Sequence, residues 1–153
     1  MGIEIERKFL VVNDSWRAGA KGTRYVQGYL QSGVCTVRVR IEGSVAKLTI
    51  KGRAKGIARS EFEYEIPMAD ARTMLQEMTI SSLVRKTRYV VPHAGKKWEI
   101  DVFEGDNAGL IVAEIELESE DEIFDLPPWA GDEVTADRRY SNASLAEHPF
   151  LQW

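Results

Sequence analysis

The sequence predicts a mainly β protein of the α+β class, built around an antiparallel sheet of eight strands. Three observations lead to this prediction. Eight segments alternate apolar and polar residues with the period of two that is typical of strands. A Gly43-Ser44 pair separates two of them in the manner of a two-residue hairpin turn, and helical periodicity is confined to a few stretches. Eight antiparallel strands with few helices favour either a sandwich or a closed barrel.

The predicted strands follow one another along most of the chain. They cover residues 3–10, 24–31, 35–42, 45–51, 59–66, 83–91, 96–103 and 110–118. The first strand shows the pattern clearly, because Glu4, Glu6 and Lys8 share one face while apolar residues line the other. Short connections join several successive strands, so we expect a meander of antiparallel neighbours.

Three stretches of the chain have helical character. Residues 67–78 begin with a proline, which suits the start of a helix, and repeat apolar residues at helical spacing. A second helix is predicted over residues 119–126, because Ser119 and Glu122 have the spacing of a capping box. It would end before the following pair of prolines. Residues 142–153 predict a short terminal helix whose apolar end docks on the sheet.

Composition limits the classes of function. A chain of 153 residues fits one domain over 1–153, and a net charge of -4 with a pI near 5.3 argues against a nucleic-acid partner. Cys35 is the only cysteine, so an internal disulfide is excluded. The sequence contains neither a secretory signal nor an apolar run long enough to span a membrane. The predicted compartment is therefore the cytoplasm, with no membrane partner.

Charged residues line one face of seven of the eight strands, and in most strands they share one sign. Carboxylates align at Glu4 and Glu6, at Glu61, Glu63 and Glu65, at Glu99 and Asp101, and at Glu114, Glu116 and Glu118; cations align at Arg38 and Arg40, at Lys47 and Lys51, and at Lys86 and Arg88. Ordinary half-buried strands also alternate apolar and charged residues. However, like charges about 7 Å apart repel by about 0.6 kcal/mol in water and about 2 kcal/mol at a dielectric constant near 20. Recurrent same-sign pairs therefore favour faces that bind a counter-ligand.

These faces would form a polar tunnel if they lined the inside of a closed barrel. Rows of carboxylates suit hard divalent cations, which prefer oxygen ligands. Rows of arginine and lysine suit a polyanion, because guanidinium groups bind phosphate in a bidentate manner and ammonium groups act as point charges. A divalent metal beside a phosphate-binding cluster is typical of phosphoryl transfer. The charged faces therefore favour a closed barrel with a charged interior, with the apolar faces outside and partly covered by helices.

The stretch EIERK, from Glu4 to Lys8, resembles the Glu-x-Glu-x-Lys signature of the CYTH superfamily, also called triphosphate tunnel metalloenzymes. The segments RVR, LTIKG, RSEFEYEI, RKTRY, EIDVF, AEIE and VTADRRYSNASLA follow in the order that the family shows. This resemblance covers the whole chain and implies a closed eight-stranded antiparallel barrel. It also implies hydrolysis of triphosphate compounds with Mg²⁺ or Mn²⁺. Compact single-domain bacterial members are typically inorganic triphosphatases, so we expect hydrolysis of tripolyphosphate to pyrophosphate and phosphate.

The same resemblance implies roles for individual residues. The implied metal ligands are Glu4, Glu6, Asp101, Glu114 and Glu116, with Glu61 and Glu63 holding a second metal or orienting water. The implied substrate-binding residues are Lys8, Arg38, Arg40, Lys51, Lys86, Arg88 and Arg138. Water would attack the terminal phosphorus in line. Lys86 is the predicted general base, because neighbouring cations disfavour its charged form, and a glutamate is the alternative. Tyr29 either assists Lys86 or packs the barrel.

Two other functions remain open at this point. A nucleotide-directed enzyme of the same family, such as a nucleoside or thiamine triphosphatase or a class IV adenylate cyclase, needs a base-recognition pocket that the sequence does not reveal. A non-catalytic polyphosphate-binding module would be favoured if the carboxylates of Glu4, Glu6, Glu114 and Glu116 were missing, and all are present. We expect a small polyanionic substrate, and an apolar outer face leaves a homodimer open.

Overall fold

The computed structural model describes residues 2–153, which form nine β-strands and two α-helices. The strands are β1 (Ile3–Val11), β2 (Gly22–Gln31), β3 (Thr36–Glu42), β4 (Val45–Lys51), β5 (Ala58–Ile66), β6 (Val84–His93), β7 (Lys96–Phe103), β8 (Ile111–Glu116) and β9 (Ala130–Glu133). The helices are α1 (Met68–Glu77) and α2 (Asn142–Glu147), with 3₁₀ turns at Gly105–Asn107, Arg138–Tyr140 and Phe150–Gln152. Within 2–153, no helix has the length and apolar character needed to cross a bilayer.

Eight of the strands close into an antiparallel barrel. Around the barrel the order is β1-β5-β4-β3-β2-β6-β7-β8, and β8 pairs back with β1. The closing pairing joins residues 3–5 of β1 to residues 58–60 of β5. The other end of β1 pairs with β9, a short strand that the alternation pattern did not predict. The predicted closed eight-stranded antiparallel barrel is therefore confirmed.

The turn between β3 and β4 shows how local sequence determines register. Gly43 has a φ of +57°, in the left-handed region that glycine adopts without steric cost. Gly43 and Ser44 therefore connect the strands as the two-residue hairpin predicted from the sequence, with Glu42 directly opposite Val45. This register places Arg40 opposite Lys47, so both side chains point into the barrel.

Apolar residues on the outer surface of the barrel are covered by two segments. Helix α1 packs Ala71 and Leu75 against Val39 and Ala46 of β3 and β4. The residues that follow β8 lie over β1, β7 and β8. There they pack in an aromatic cluster around Trp98, which has no exposed surface. The protein thus has its apolar cores between the barrel wall and these covering segments, which leaves the interior of the barrel free for polar residues.

Helix α2 closes one end of the barrel. Leu145 has no exposed surface and packs with Tyr29, Val84 and Phe103. These three residues lie on the inward faces of β2, β6 and β7, at the ends nearest α2. The barrel interior is therefore apolar at this end and charged over the rest of its length, and the predicted helix at the C-terminal segment is confirmed over residues 142–147.

The helix predicted over residues 119–126 is wrong. The backbone N–H of Glu122 donates to the carbonyl oxygen of Ser119 at 3.3 Å, which makes a single turn, and no helix follows. The Glu122 carboxylate accepts from the backbone N–H of Glu118 at 2.6 Å and pairs with Lys96, so it does not complete a capping box. Isolated helices this short are marginal, and packing decides their conformation.

Phe124 supplies the packing that competes with the helix. Its ring lies 6.1 Å from that of Phe9 and 5.8 Å from that of Trp98, in edge-to-face arrangements. The neighbouring Ile123 points to solvent and is 91% exposed. Residues 122–126 therefore run as an irregular segment over the barrel wall with Phe124 as the anchor.

We expect Phe124→Ala to lower the free energy of unfolding by about 2 to 3 kcal/mol, because it removes a half-buried ring from an aromatic cluster. Ile123→Ala serves as the matched control and should change stability by less than about 0.5 kcal/mol. Urea unfolding of the two variants and the wild type measures both values. Equal effects of the two substitutions would contradict the anchoring role of Phe124.

Candidate active site

The inward faces of the barrel strands enclose a cavity of about 300 Å³. Its lining consists of Glu4, Glu6, Tyr25, Arg38, Arg40, Glu42, Lys47, Lys51, Glu61, Glu63, Lys86, Arg88, Lys97, Glu99, Glu114, Glu116 and Asn142. Only Tyr25 and Asn142 in this set are uncharged. All members except Asn142 come from strands, where alternate residues face the same side. The alternating charges in the sequence thus produce a cavity with carboxylates and cations on facing walls.

Most of the predicted site residues meet in this cavity. The predicted residues that line it are Glu4, Glu6, Arg38, Arg40, Lys51, Glu61, Glu63, Lys86, Arg88, Glu114 and Glu116. Asp101 lies behind the lining, where it contacts Lys86 and Arg88. Lys8 donates from its Nζ to the carbonyl oxygen of Tyr140 at 3.2 Å.

Besides Asp101 and Lys8, two more predicted residues lie outside the cavity lining. The Tyr29 ring packs in the apolar end of the barrel, where its hydroxyl accepts a hydrogen bond from Nε2 of Gln27 at 3.0 Å. Arg138 is exposed on a 3₁₀ turn before α2. Tyr29 therefore occupies the packing position that the sequence left open as its alternative, and the hydrogen bonds of Lys86 go to Asp101 and Asn142.

Six residues that line the cavity had no site role predicted from the sequence, although Lys47 and Glu99 had been placed on the charged strand faces. They are Tyr25, Glu42, Lys47, Lys97, Glu99 and Asn142. The alternation of β3 already contained a signal for Glu42, since it continues the face of Arg38 and Arg40. No alternation pattern could predict Asn142, because it is the first residue of α2. It reaches the cavity only because that helix docks on the barrel.

A buried network of ion pairs joins β6 to β7. Asp101 faces Arg88 across the ladder and accepts from Nε and Nη2 of Arg88 at 2.7 and 2.8 Å, a bidentate pair. Nζ of Lys86 donates to the same carboxylate at 2.7 Å and to Oδ1 of Asn142 at 3.1 Å. One carboxylate thus orients two cations.

Burial controls the ionisation of Lys86. The side chain is 1% exposed, and removal from water lowers its pKa to about 7, with the charge of Arg88 acting in the same direction and that of Asp101 opposing it. Burial by itself raises the pKa of Asp101, yet Arg88 and Lys86 hold that pKa below its usual value. A deprotonated amine beside an ionised carboxylate is therefore accessible near neutral pH.

Two pairs of carboxylates lie close together in the cavity. Burial and the charge of Glu114 raise the pKa of Glu6 well above its usual value, and the two side chains share a hydrogen bond. Burial also raises the pKa of Glu4, which shares a hydrogen bond with Glu61. In each pair the pKa of the β1 carboxylate is raised by burial, whereas the pKa of its partner is lowered against the effect of burial, by the charges of Lys8 and Arg88 at Glu114 and by Glu4 and Lys51 at Glu61. Nζ of Lys51 lies 3.0 Å from Glu4 and 3.3 Å from Glu61, so it further neutralises the second pair.

These carboxylates fit a hard divalent cation. Among residues 2–153, no group of three or more His, Cys, Asp or Glu side chains is arranged as a complete metal cage. Cations such as Mg²⁺ are typically held by one or two carboxylates and take their other ligands from water and substrate phosphates. Two carboxylates held side by side supply such oxygen donors, and the charge of a bound cation relieves the repulsion between them.

The arginines of β3 complete the cationic wall. Nη2 of Arg38 lies 3.5 Å from Glu63 and donates to Oγ1 of Thr49 at 3.2 Å, whereas Nη2 of Arg40 lies 3.1 Å from Glu42. Both guanidinium groups are buried, and the Nε donor of each has no hydrogen-bond partner among the described residues. Buried donors without partners are costly, so this wall favours an anionic ligand.

The fold and the cavity together define a class of protein. It is an antiparallel barrel whose interior carries carboxylates that can bind cations, and arginine and lysine side chains that can bind anions. The chain belongs to the CYTH family, because the family model described as the CYTH domain matches residues 2–149. The resemblance predicted from the EIERK stretch and the ordered segments is confirmed. Membership of this family implies a divalent metal cation as cofactor.

Relatives with assigned functions cover nearly the whole chain. An inorganic triphosphatase of Acetivibrio thermocellus is 44% identical over 151 residues, which make up 98% of this chain and 97% of that protein. An inorganic triphosphatase of Nitrosomonas europaea is 39% identical over 150 residues, covering 94% of this chain and 96% of the relative. A crystal structure of an inorganic triphosphatase superposes with a TM-score of 0.69 at 36% identity, covering 94% of this chain and 93% of that one.

The lowered pKa of Lys86 makes stability depend on pH. As pH falls from about 10.5 to about 7, the unfolded chain binds a proton at this amine and the folded protein does not. The wild type should therefore lose stability over this window relative to Lys86→Met, and the difference should level off below about pH 7.

Urea unfolding in metal-free buffer, at a series of pH values between about 6 and about 10, measures this difference. Lys55→Met is the control, because Lys55 is exposed in the loop between β4 and β5. A difference between wild type and Lys86→Met that does not change with pH would mean that Lys86 keeps its ordinary pKa in the folded protein.

Proposed function

We propose that this chain is a metal-dependent triphosphatase that hydrolyses inorganic triphosphate to pyrophosphate and phosphate inside the barrel. The observation that carries this proposal is the cavity of about 300 Å³ in which every lining residue except Tyr25 and Asn142 is charged. A nucleoside or thiamine group would need apolar or aromatic surface to bury, as typical small-molecule pockets provide. The inorganic triphosphatases at 44% and 39% identity support the same substrate.

Glu4, Glu6, Glu114 and Glu116 are the residues that would hold the divalent metal, which we propose to be Mg²⁺ or Mn²⁺. Glu61 and Glu63 line the cavity from β5, the strand that pairs with the start of β1, and would hold a second metal or orient water. When bound, the metal supplies charge that neutralises the phosphate oxygens as the reaction proceeds. The ligand role predicted for Asp101 stays a prediction, since its carboxylate accepts hydrogen bonds from Lys86 and Arg88.

The cations of the cavity would bind and orient the phosphate chain. Arg38, Arg40, Lys51 and Arg88 line it, and their carboxylate partners hold them in place before the substrate arrives. Groups that are oriented in advance stabilise developing charge without reorganising during the reaction. Lys8 and Arg138 stay predicted substrate contacts, since neither lines the cavity.

Lys86 would act as the general base. Lys86 lines the cavity, and with a pKa of about 7 a large fraction of the amine is free to accept a proton from the attacking water at neutral pH. Asp101 and Asn142 hold the amine in position through hydrogen bonds. The assisting role predicted for Tyr29 stays a prediction, because its hydroxyl contacts Gln27 in the apolar end of the barrel.

The wider predictions from the sequence also stay proposals. We propose one domain over residues 1–153 that acts in the cytoplasm on a small polyanion. The net charge of -4 supports the absence of a nucleic-acid partner. A homodimer stays open, and the exposed side chains of Ile3, Phe62 and Tyr64 on β1 and β5 are apolar surface available for one.

Phosphate release from tripolyphosphate, ATP and thiamine triphosphate, with Mg²⁺, Mn²⁺ or neither, tests the proposed function. We expect metal-dependent turnover that favours tripolyphosphate and falls by at least about 100-fold in Glu4→Gln/Glu6→Gln, because that variant loses charged metal ligands. Glu118→Gln is the matched control, since Glu118 is exposed outside the cavity. Tight binding of tripolyphosphate without turnover of any substrate would identify a polyphosphate-binding module, and turnover of ATP alone would identify a nucleotide-directed enzyme.

The proposed base has its own test. Lys86→Gln should lower kcat by about 10² to 10⁴-fold, because general-base catalysis typically contributes this much. In the wild type, kcat/KM should rise with pH through about 7, the pKa of Lys86, and this rise should be absent in the variant. If Lys86→Gln keeps the wild-type pH profile, the general base is a glutamate and not Lys86.

A further inference from the structure

The ring of Tyr25 lies between two cations of the cavity. Its centroid is 4.8 Å from Cζ of Arg40 and 5.1 Å from Cζ of Arg88, and Nζ of Lys86 lies at 5.8 Å. All three distances are within the range of cation–π interactions. Tyr25 therefore contacts three of the positive charges that line the cavity, although it carries no charge itself.

Sheet register explains this arrangement. Strand β2 lies between β3 and β6, and Tyr25 faces Glu42 on one side and Lys86 on the other. Arg40 lies two residues before Glu42 on β3, and Arg88 lies two residues after Lys86 on β6. Both arginines are therefore diagonal neighbours of Tyr25. Diagonal neighbours in a sheet are about 7 to 8 Å apart, a distance that aromatic and long side chains span. Both guanidinium groups thus approach the same ring from opposite strands.

The two guanidinium groups repel each other and are held by different carboxylates. The charge of Arg88 contributes to a lowered pKa of Arg40, after burial and the charge of Arg38. Arg40 pairs with Glu42 at 3.1 Å, whereas Arg88 pairs with Asp101 at 2.7 Å. These ion pairs draw the two cations in different directions. The electron-rich face of the Tyr25 ring attracts both and keeps them near one another.

We propose that Tyr25 is a positioning residue that holds the guanidinium groups of Arg40 and Arg88 together as one binding element for phosphate oxygens. This inference rests on the proposed function, because it concerns affinity for the polyphosphate in that same cavity. Tyr25 acts through the two arginines and touches no reacting atom. Its loss should therefore weaken substrate binding and leave the chemical step nearly unchanged.

Kinetics of Tyr25→Leu and Tyr25→Phe with tripolyphosphate, at saturating divalent metal, test this role. We expect Tyr25→Leu to raise KM by about 10-fold and to leave kcat within about threefold, since it loses the ring. Tyr25→Phe keeps the ring and should recover most of the affinity. Tyr64→Leu is the control, because that tyrosine is exposed on β5 and does not line the cavity. Thermal unfolding of each variant shows whether it folds as the wild type does.

Calorimetric binding of tripolyphosphate to the metal-free protein separates this inference from the proposed function. If the wild type does not cleave tripolyphosphate at saturating divalent metal, but the metal-free wild type binds it and metal-free Tyr25→Leu binds it about 10-fold more weakly, the proposed function fails and the positioning role stands. Equal losses in the Leu and Phe variants would assign the effect to the hydroxyl and overturn the inference. An unchanged KM together with new turnover of ATP would also overturn it, because the ring would then only restrict the size of the cavity.

Discussion

The short pairing of β1 with β5 is the constraint on which the rest of the structure depends. The pairing joins residues 3–5 to residues 58–60, with a further hydrogen bond from the N–H of Glu61 to the carbonyl oxygen of Gly2 at 3.0 Å, and it converts an open sheet into a barrel. Without it, Glu4 would not face Lys51 and Glu61, and the carboxylates of β1 would lie on a solvated surface. Closure places charges of both signs in one cavity, where the reduced solvation strengthens every interaction between them.

A charged interior changes where stability comes from. Buried ion pairs such as Lys86 with Asp101 lose hydration energy that their mutual attraction only partly returns. The apolar contacts that offset this cost lie outside the barrel wall, around Trp98 and beneath α1, and at the end filled by Leu145. The protein thus separates the packing that stabilises the fold from the polar cavity, so cavity residues are free to meet the needs of a ligand.

The alternation of residues predicted the strands, their inward faces and most of the cavity lining, because a period of two determines which side of a strand a residue occupies. It could not predict position along the barrel axis. Tyr25 and Tyr29 share a face, but the first contacts Arg40 in the cavity and the second packs beneath α2. Partners distant in sequence decide such positions, and they also decided that Phe124 packs on Trp98 where local capping signals favoured a helix.

The position of β1 in the barrel has a consequence for the order in which the protein folds during synthesis. β1 is the earliest strand, but its partners are residues 58–60, residues 112–116 and β9. A chain leaves the ribosome from its N-terminus, so the carboxylates of Glu4 and Glu6 stay hydrated until these later strands emerge. We therefore expect the carboxylates of β1 to be removed from water late in folding, when the strands that carry their partners have been made.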